Sequence, residues 1–343
     1  MPFWRKDTEE ERQRKEFAAQ QAHDQQQSIR ELELGGLPVQ ATRRLTEQAS
    51  SPSKLFSSTL TAKEYLLARE AGYQPIGQVM GTSFMRVAYG FFNTGLYWNV
   101  SSEMESLTYA HKRGWELAVS RLKQEAQLLG ADGVIGVRVK KTNATWSSGI
   151  TEFTAIGTAI KLPDRDMLTR ITNLPFTSSL SGQEFWQLFE GGYWPCGLVM
   201  GNCSYFVYGD WQTCNSSFGF FASLSNQELT QFTQGLNTAR AMAMNRLRQN
   251  IAIEGGDGAV DMDVDYHLHH HHYEKSNQTQ VNMVIEFMAS GTAVICRPDG
   301  KARIAHQPLF IMDLSGRSKR ELEFDVSMQA LTGAGVAEGD ALE

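Results

Sequence analysis

The 343-residue sequence predicts an α+β protein of two tandem β-α-β-β domains. In each, a long helix lies on a small antiparallel sheet behind a short helical preface. Three observations carry this expectation: a duplication, paired helix-start signals and paired helix-stop signals. FSSTLTAKEYLLAREAGYQPIGQVMG, from Phe56, aligns without a gap on FTSSLSGQEFWQLFEGGYWPCGLVMG, from Phe176. The match resumes with ELAVSRLKQEAQLLGADGVIGV from Glu116 against AMAMNRLRQNIAIEGGDGAVDM from Ala241. It closes with EFTAIGTAIKL from Glu152 against EFMASGTAVIC from Glu286. A whole domain has been duplicated, longer than an ordinary solenoid unit.

The elements follow in order. TAKE (Thr61 to Glu64) and SGQE (Ser181 to Glu184) are capping boxes, in which a hydroxyl and a glutamate satisfy orphan amides reciprocally. Each opens a short helix stopped by Gly72 or Gly192. A strand follows, with Pro75 or Pro195 at its entry, where a missing N–H is tolerated. The long helices span about 103–129 and 226–253. In the first, Leu107, His111, Leu117, Leu122 and Leu129 recur near helical spacing and form a buried stripe. Gly130 and Gly255 cap these helices, Asp132-Gly133 and Asp257-Gly258 turn the chain into a strand, and a last strand ends in GTAI or GTAV. Such a unit covers one sheet face and leaves edges open, so it should associate with copies of itself; the duplication supplies one partner.

The composition, 41% hydrophobic and 20% charged with a formal charge of −6, suits a soluble globular protein and lacks a basic footprint for nucleic acid. The charged start is no secretory signal, and no window is apolar enough to span a membrane. Cys196, Cys203, Cys214 and Cys296 show no CxxC spacing and read as reduced thiols of a cytoplasmic protein. Walker, dinucleotide and nucleophile motifs are missing. The glycines of LGADGVIGV lead from helix to strand, the reverse of a phosphate loop.

The alanine-rich helix, LGADGVIGV, the variable hairpin and the GTA strand resemble the YbjQ-like, heavy-metal-binding domain family, here twice, over Phe56–Lys161 and Phe176–Arg297. The resemblance implies a dodecin-like β-α-β-β fold that assembles into rings, and it brings no catalytic residues. The expected organisation is an N-terminal arm at 1–50, repeat 1 at 54–162, a linker at 163–175, repeat 2 at 176–297 and a largely flexible extension at 298–343. The arm is rich in Glu, Gln and Arg without a heptad, a marginal helix suited to docking on another subunit or partner. PLFIM in the extension is a candidate added strand.

Repeat 2 departs from the pattern at GGDGAVDMDVDYHLHHHHYEKSNQTQ, a longer hairpin that contains VDYHLHHHHYEK, Val264 to Lys275. Strict alternation places Val260, Met262, Val264, Tyr266 and Leu268 on the helix side of a strand. Asp261, Asp263, Asp265, His267, His269 and His271 then form a ladder on the other side. Asp263, Asp265, His267, His269 and His271 are the candidate metal ligands, for Zn or for Ni or Cu. Same-side residues repeat about every 6.5 to 7 Å, too far apart to chelate alone with bonds of about 2 Å, so the paired strand near 280–286 or another subunit must contribute. The alternative is a polar hairpin tip with solvated histidines.

Aligned on the Asp-Gly turn, Asp261, Asp263 and Asp265 match Gly136, Arg138 and Lys140. Where one repeat offers carboxylates, the other offers cations. An interface in which Arg138 and Lys140 pair with Asp263 and Asp265 is therefore expected, against the alternative of two independently solvated faces. His111, Cys196 and Cys203 read as packing residues; Tyr73 and Tyr193, with Trp98 and Trp211, read as core rather than a ligand cleft. The favoured function is a non-enzymatic homo-oligomeric ring or scaffold that binds a ligand or protein partner through the assembly. A metal-binding or metal-sequestering protein is the alternative, and an enzyme with an interface site is the third.

Overall fold

The computed structural model describes residues 9–50, 57–87, 100–144, 149–162, 175–209, 228–275 and 278–296. All of these fall within one compact unit, residues 1–303. Trp98, Trp211, Cys214, the linker at 163–174 and the extension with PLFIM lie outside the described residues.

Local signals act as expected. Helix α3 (Ala62–Glu70) starts at Thr61, whose hydroxyl accepts from the Glu64 amide while the Glu64 carboxylate accepts from the Thr61 amide. Ser181 and Glu184 do the same for α5 (Gly182–Glu190). Gly72 and Gly192 follow these helices at a φ of 85° each, a left-handed turn that a side chain would strain. The strands β1 (Gln74–Arg86) and β6 (Tyr193–Val207) come next, and the long helices are α4 (Glu105–Leu128) and α6 (Thr230–Ile253).

Repeat 1 contributes β1, β3 (Gly133–Asn143) and β4 (Ile150–Lys161); repeat 2 contributes β6, β7 (Gly258–Lys275) and β8 (Gln278–Cys296). Each sheet then gains a short fourth strand from the other repeat. β5 (Phe176–Thr177) pairs parallel with β3, and β2 (Ser102–Glu103) pairs antiparallel with β6. The orders are β1-β4-β3-β5 and β2-β6-β8-β7. The exchange closes two edges that a lone unit would leave open.

α4 lies against β1 at Gly81 and α6 against β6 at Gly201, where no side chain separates helix backbone from strand backbone. Arg121 donates to the Thr82 carbonyl and Glu125 accepts from the Met80 amide; at the matching places Arg246 donates to the Asn202 carbonyl and Asn250 donates to the Met200 carbonyl. The repeats are not independent. Leu198 and Met200 of β6 share one core with Trp115, Val119, Val137 and Phe153 of repeat 1. The sheet face opposite α6 thus covers α4. That explains why α4 buries eleven residues along its length and α6 four. Over the joint Phe176, Phe185 and Trp194 cluster with Tyr73, whose hydroxyl donates to Gly182 O at 2.7 Å. Burial pushes that phenol up to about 12, so Tyr73 belongs to the core, while Tyr193 is 43% exposed.

The arm forms α1 (Glu9–Glu33) and α2 (Val39–Ser50). It folds back on repeat 1: Leu45 is fully buried, Arg44 reaches Glu125 at 3.3 Å, and Arg121 donates to Leu32 O and Gly36 O.

Two findings correct the strict alternation read for β7. The register shifts between Val260 and Asp263, with Asp261 at a φ of 51°; β3 carries the same bulge, with Gly136 at 62°. Val260, opposite Thr292, therefore shares a side with Asp263, opposite Ser290, and Asp261 leaves the ladder. The expected packing of Met262, Val264, Tyr266 and Leu268 on the long helix also fails. They are 39–52% exposed, because β7 is the outer strand while α6 lies over β6 and β8.

Candidate functional site

Ionisable groups concentrate where the two repeats meet. Lys141 of β3 and Glu286 of β8 form an ion pair with side chains only 4% and 3% exposed. Around them stand His111 of α4, Asn202 and Ser204 of β6, and Asp265 and His267 of β7, lining a cavity of about 10 Å³. Such a space holds about one water. Of its lining atoms, His111 Nε2 and Ser204 Oγ have no hydrogen-bond partner among the described residues. A second cleft of about 30 Å³ sits beside it, between Trp115, Val139 and Phe153 on one side and Asp263, Asp265 and Met288 on the other.

Burial opposes ionisation of Glu286. The His269 ring, 3.4 Å away, and the Lys141 ammonium outweigh that, and hold the carboxyl well below the ordinary range. His111 moves the other way for a base: burial first, then the Lys141 charge, lowers it to about 4. It is a neutral imidazole at physiological pH.

Acid should loosen this joint in two stages. Between about pH 6.5 and 4 the unfolded chain protonates at His111 and the folded one does not. Stability from this group is complete above 6.5 and falls through that window by about 3 kcal/mol. The Glu286 contribution is present above the ordinary carboxylate pKa and is lost as the pH drops further. His111→Leu supplies the residue that repeat 2 carries at the matching position, Leu236. It should abolish the first stage and keep the second. Urea unfolding of both proteins at pH 7, 5.5 and 4.5 tests this, and equal slopes would refute it.

The residues singled out from sequence take different places. Arg138 meets Asp261, at 3.5 Å with its side chain 70% exposed, a contact of small energetic weight. Lys140 is exposed, and its neighbour Lys141 is the buried cation. Asp265 lies 3.2 Å from His267, and His269 lies 3.4 Å from Glu286. Among the described residues no three His, Cys, Asp or Glu converge as a ligand set. The His271 side chain lies outside the described residues. Cys196 and Cys203 are buried, which pushes their thiols up to about 11 and 12, away from thiolate chemistry. Sequence reasoning missed Lys141 and Glu286. A glutamate flanked by apolar residues in EFMASGTAV was the available signal, because a buried carboxylate demands a cation.

Two YbjQ-like units sharing a core, with polar groups sealed between them, define the class. The chain belongs to the YbjQ family, described as "Putative heavy-metal-binding", whose sequence model matches residues 72–163 and 196–297. It is 33% identical over 254 residues to the encapsulin nanocompartment protein Rv1762c of Mycobacterium tuberculosis (strain ATCC 25618 / H37Rv), covering 73% of this chain and 89% of that protein. No solved structure matches. No helix among the described residues is long and apolar enough to cross a membrane.

Proposed function

We propose that this protein is a non-enzymatic, self-associating scaffold of the cytoplasm, whose working form is a homo-oligomer that binds a protein partner through the assembly. The observation that carries this reading is the exchange of β2 and β5: each repeat completes its sheet with a strand from another YbjQ unit. A unit that folds by borrowing edges is suited to assembly. Because the relative is named an encapsulin nanocompartment protein, we take a component of such a compartment as the class of partner. Native mass spectrometry of the untagged full chain, with elemental analysis, tests the reading. A metal-free oligomer is expected, and a monomer throughout the micromolar range would overturn it.

The second reading is metal binding. It is favoured by Asp263, Asp265, His267 and His269 standing along one side of β7. If it holds, zinc, nickel or copper will be found at a fixed stoichiometry and lost from a His267→Ala/His269→Ala variant. Metal retained by that variant would exclude these ligands.

A further inference from the structure

The joint inside the chain has two halves, and each half has an unused counterpart in the other repeat. One half is the segment Thr177–Leu180. Ser178 N donates to Val134 O at 2.8 Å, Val137 N to Ser178 O at 2.9 Å, and Gly136 N to Leu180 O at 2.8 Å. Thr177 and Ser178 are fully buried there, and Leu180 nearly so. The counterpart in repeat 1 is Ser57–Leu60, and it already has the same shape. Thr59 N donates to Thr158 Oγ1 and Leu60 N to Ser58 Oγ, as Ser179 N does to Thr292 Oγ1 and Leu180 N to Ser178 Oγ. Yet Ser57 and Thr59 are exposed.

The other half is the edge of β3, whose counterpart is the edge of β7. The bulge at Asp261 repeats the one at Gly136, left-handed residue included, so β7 presents its amides and carbonyls in the arrangement that β3 uses. At the start of β3 the Phe176 ring lies directly on Gly133. At the matching Gly258 a side chain would meet nothing within 4 Å.

Apolar surface follows the same rule. Val137 is 2% exposed, while its counterpart Met262 is 39%, and beyond it Val264, Tyr266 and Leu268 are 40–52% exposed. On the outer face of β1, Met80 and Phe84 are 43% and 59% exposed; their counterparts Met200 and Ser204, covered by α4, are each 1%. Thr108 receives the Ser204 amide on its hydroxyl and the Asn202 side chain on its carbonyl, while its counterpart Thr233 is exposed.

We infer that a second copy of this chain docks head to tail. Its Ser57–Leu60 segment seats on the β7 edge, and its β1 face bearing Met80 and Phe84 seats on α6 around Thr233 and on the apolar side of β7. The internal joint is thereby repeated between chains. Such a contact is heterologous, so it closes into a ring or runs on as a filament. It covers an outer strand whose exposed apolar side is otherwise a liability for uncontrolled pairing. The inference rests on the self-association proposed above and specifies its surfaces.

The test uses the untagged full chain with one lesion at each end. Gly258→Trp, at a position where an added Cβ meets nothing within the single chain, obstructs the β7 edge; Phe84→Glu places a charge on the β1 face. Each variant should keep the wild-type far-ultraviolet spectrum and sediment at the mass of one chain, 38.4 kDa. Mixed together, they should form a dimer and nothing larger, since each retains the end that the other lacks. Variants that keep the wild-type mass, or a mixture that stays monomeric, would overturn the head-to-tail joint while leaving self-association standing. A monomeric wild-type chain would remove both.

Discussion

Replacing Glu286 by alanine should destabilise the protein by about 3 to 5 kcal/mol, because it strands the Lys141 ammonium between the repeats without a counter-charge. Both side chains are almost wholly enclosed, and Glu286 also engages His269. Restoring shape without charge should rescue most of the loss: a Lys141→Met/Glu286→Leu double variant is expected within about 1 kcal/mol of wild type, as buried pairs often match their apolar replacements. Urea unfolding at pH 7 of Lys141→Met, Glu286→Leu and the double variant completes the cycle. Additive losses, or a single-variant loss below about 1 kcal/mol, would mean that the pair is solvated and sets no register between the repeats.

Gly201→Ala should cost about 3 kcal/mol or more, since the added methyl overlaps the Ala243 carbonyl oxygen and comes within 2.6 Å of the Leu247 amide. These are helix backbone atoms, which no rotamer change can move, so α6 must lift from β6 along its buried line. Gly81→Ala presses on Ala118 and Leu122 in the same way and should behave alike. Gly258→Ala, which meets nothing within its own chain, should change the melting temperature of the monomeric Phe84→Glu variant by no more than about 2 °C. Thermal unfolding of the three variants decides this. Equal melting temperatures would show that the helices sit further from the sheets than described.

Much of the fold was legible because its signals are short-range. The capping boxes at Thr61 and Ser181 act over three residues, and Gly72 and Gly192 act at one. The stripe through Leu107, His111 and Leu122 needs only the helical period. The candidate site was less legible. Alternation correctly set Asp263, Asp265, His267 and His269 on one side, but it failed across the bulge at Asp261, where an aspartate occupies the backbone conformation that Gly136 takes in repeat 1. Charge complementarity between the repeats is realised within the chain by other pairs than Arg138 and Lys140 with Asp263 and Asp265. The contacts that form are Arg138 with Asp261 and, in the interior, Lys141 with Glu286.

The sequence by itself determined the duplication, the order of helices and strands in each copy and the turns that join them, because those follow from periodicity and from hydrogen bonds within a few residues. Only the tertiary structure decided that β2 and β5 change sheets, that α4 is covered on two sides and α6 on one, and that a lysine and a glutamate 145 positions apart neutralise each other. Those outcomes depend on which edges and faces come together, and the free energy of burying them is set by partners far along the chain.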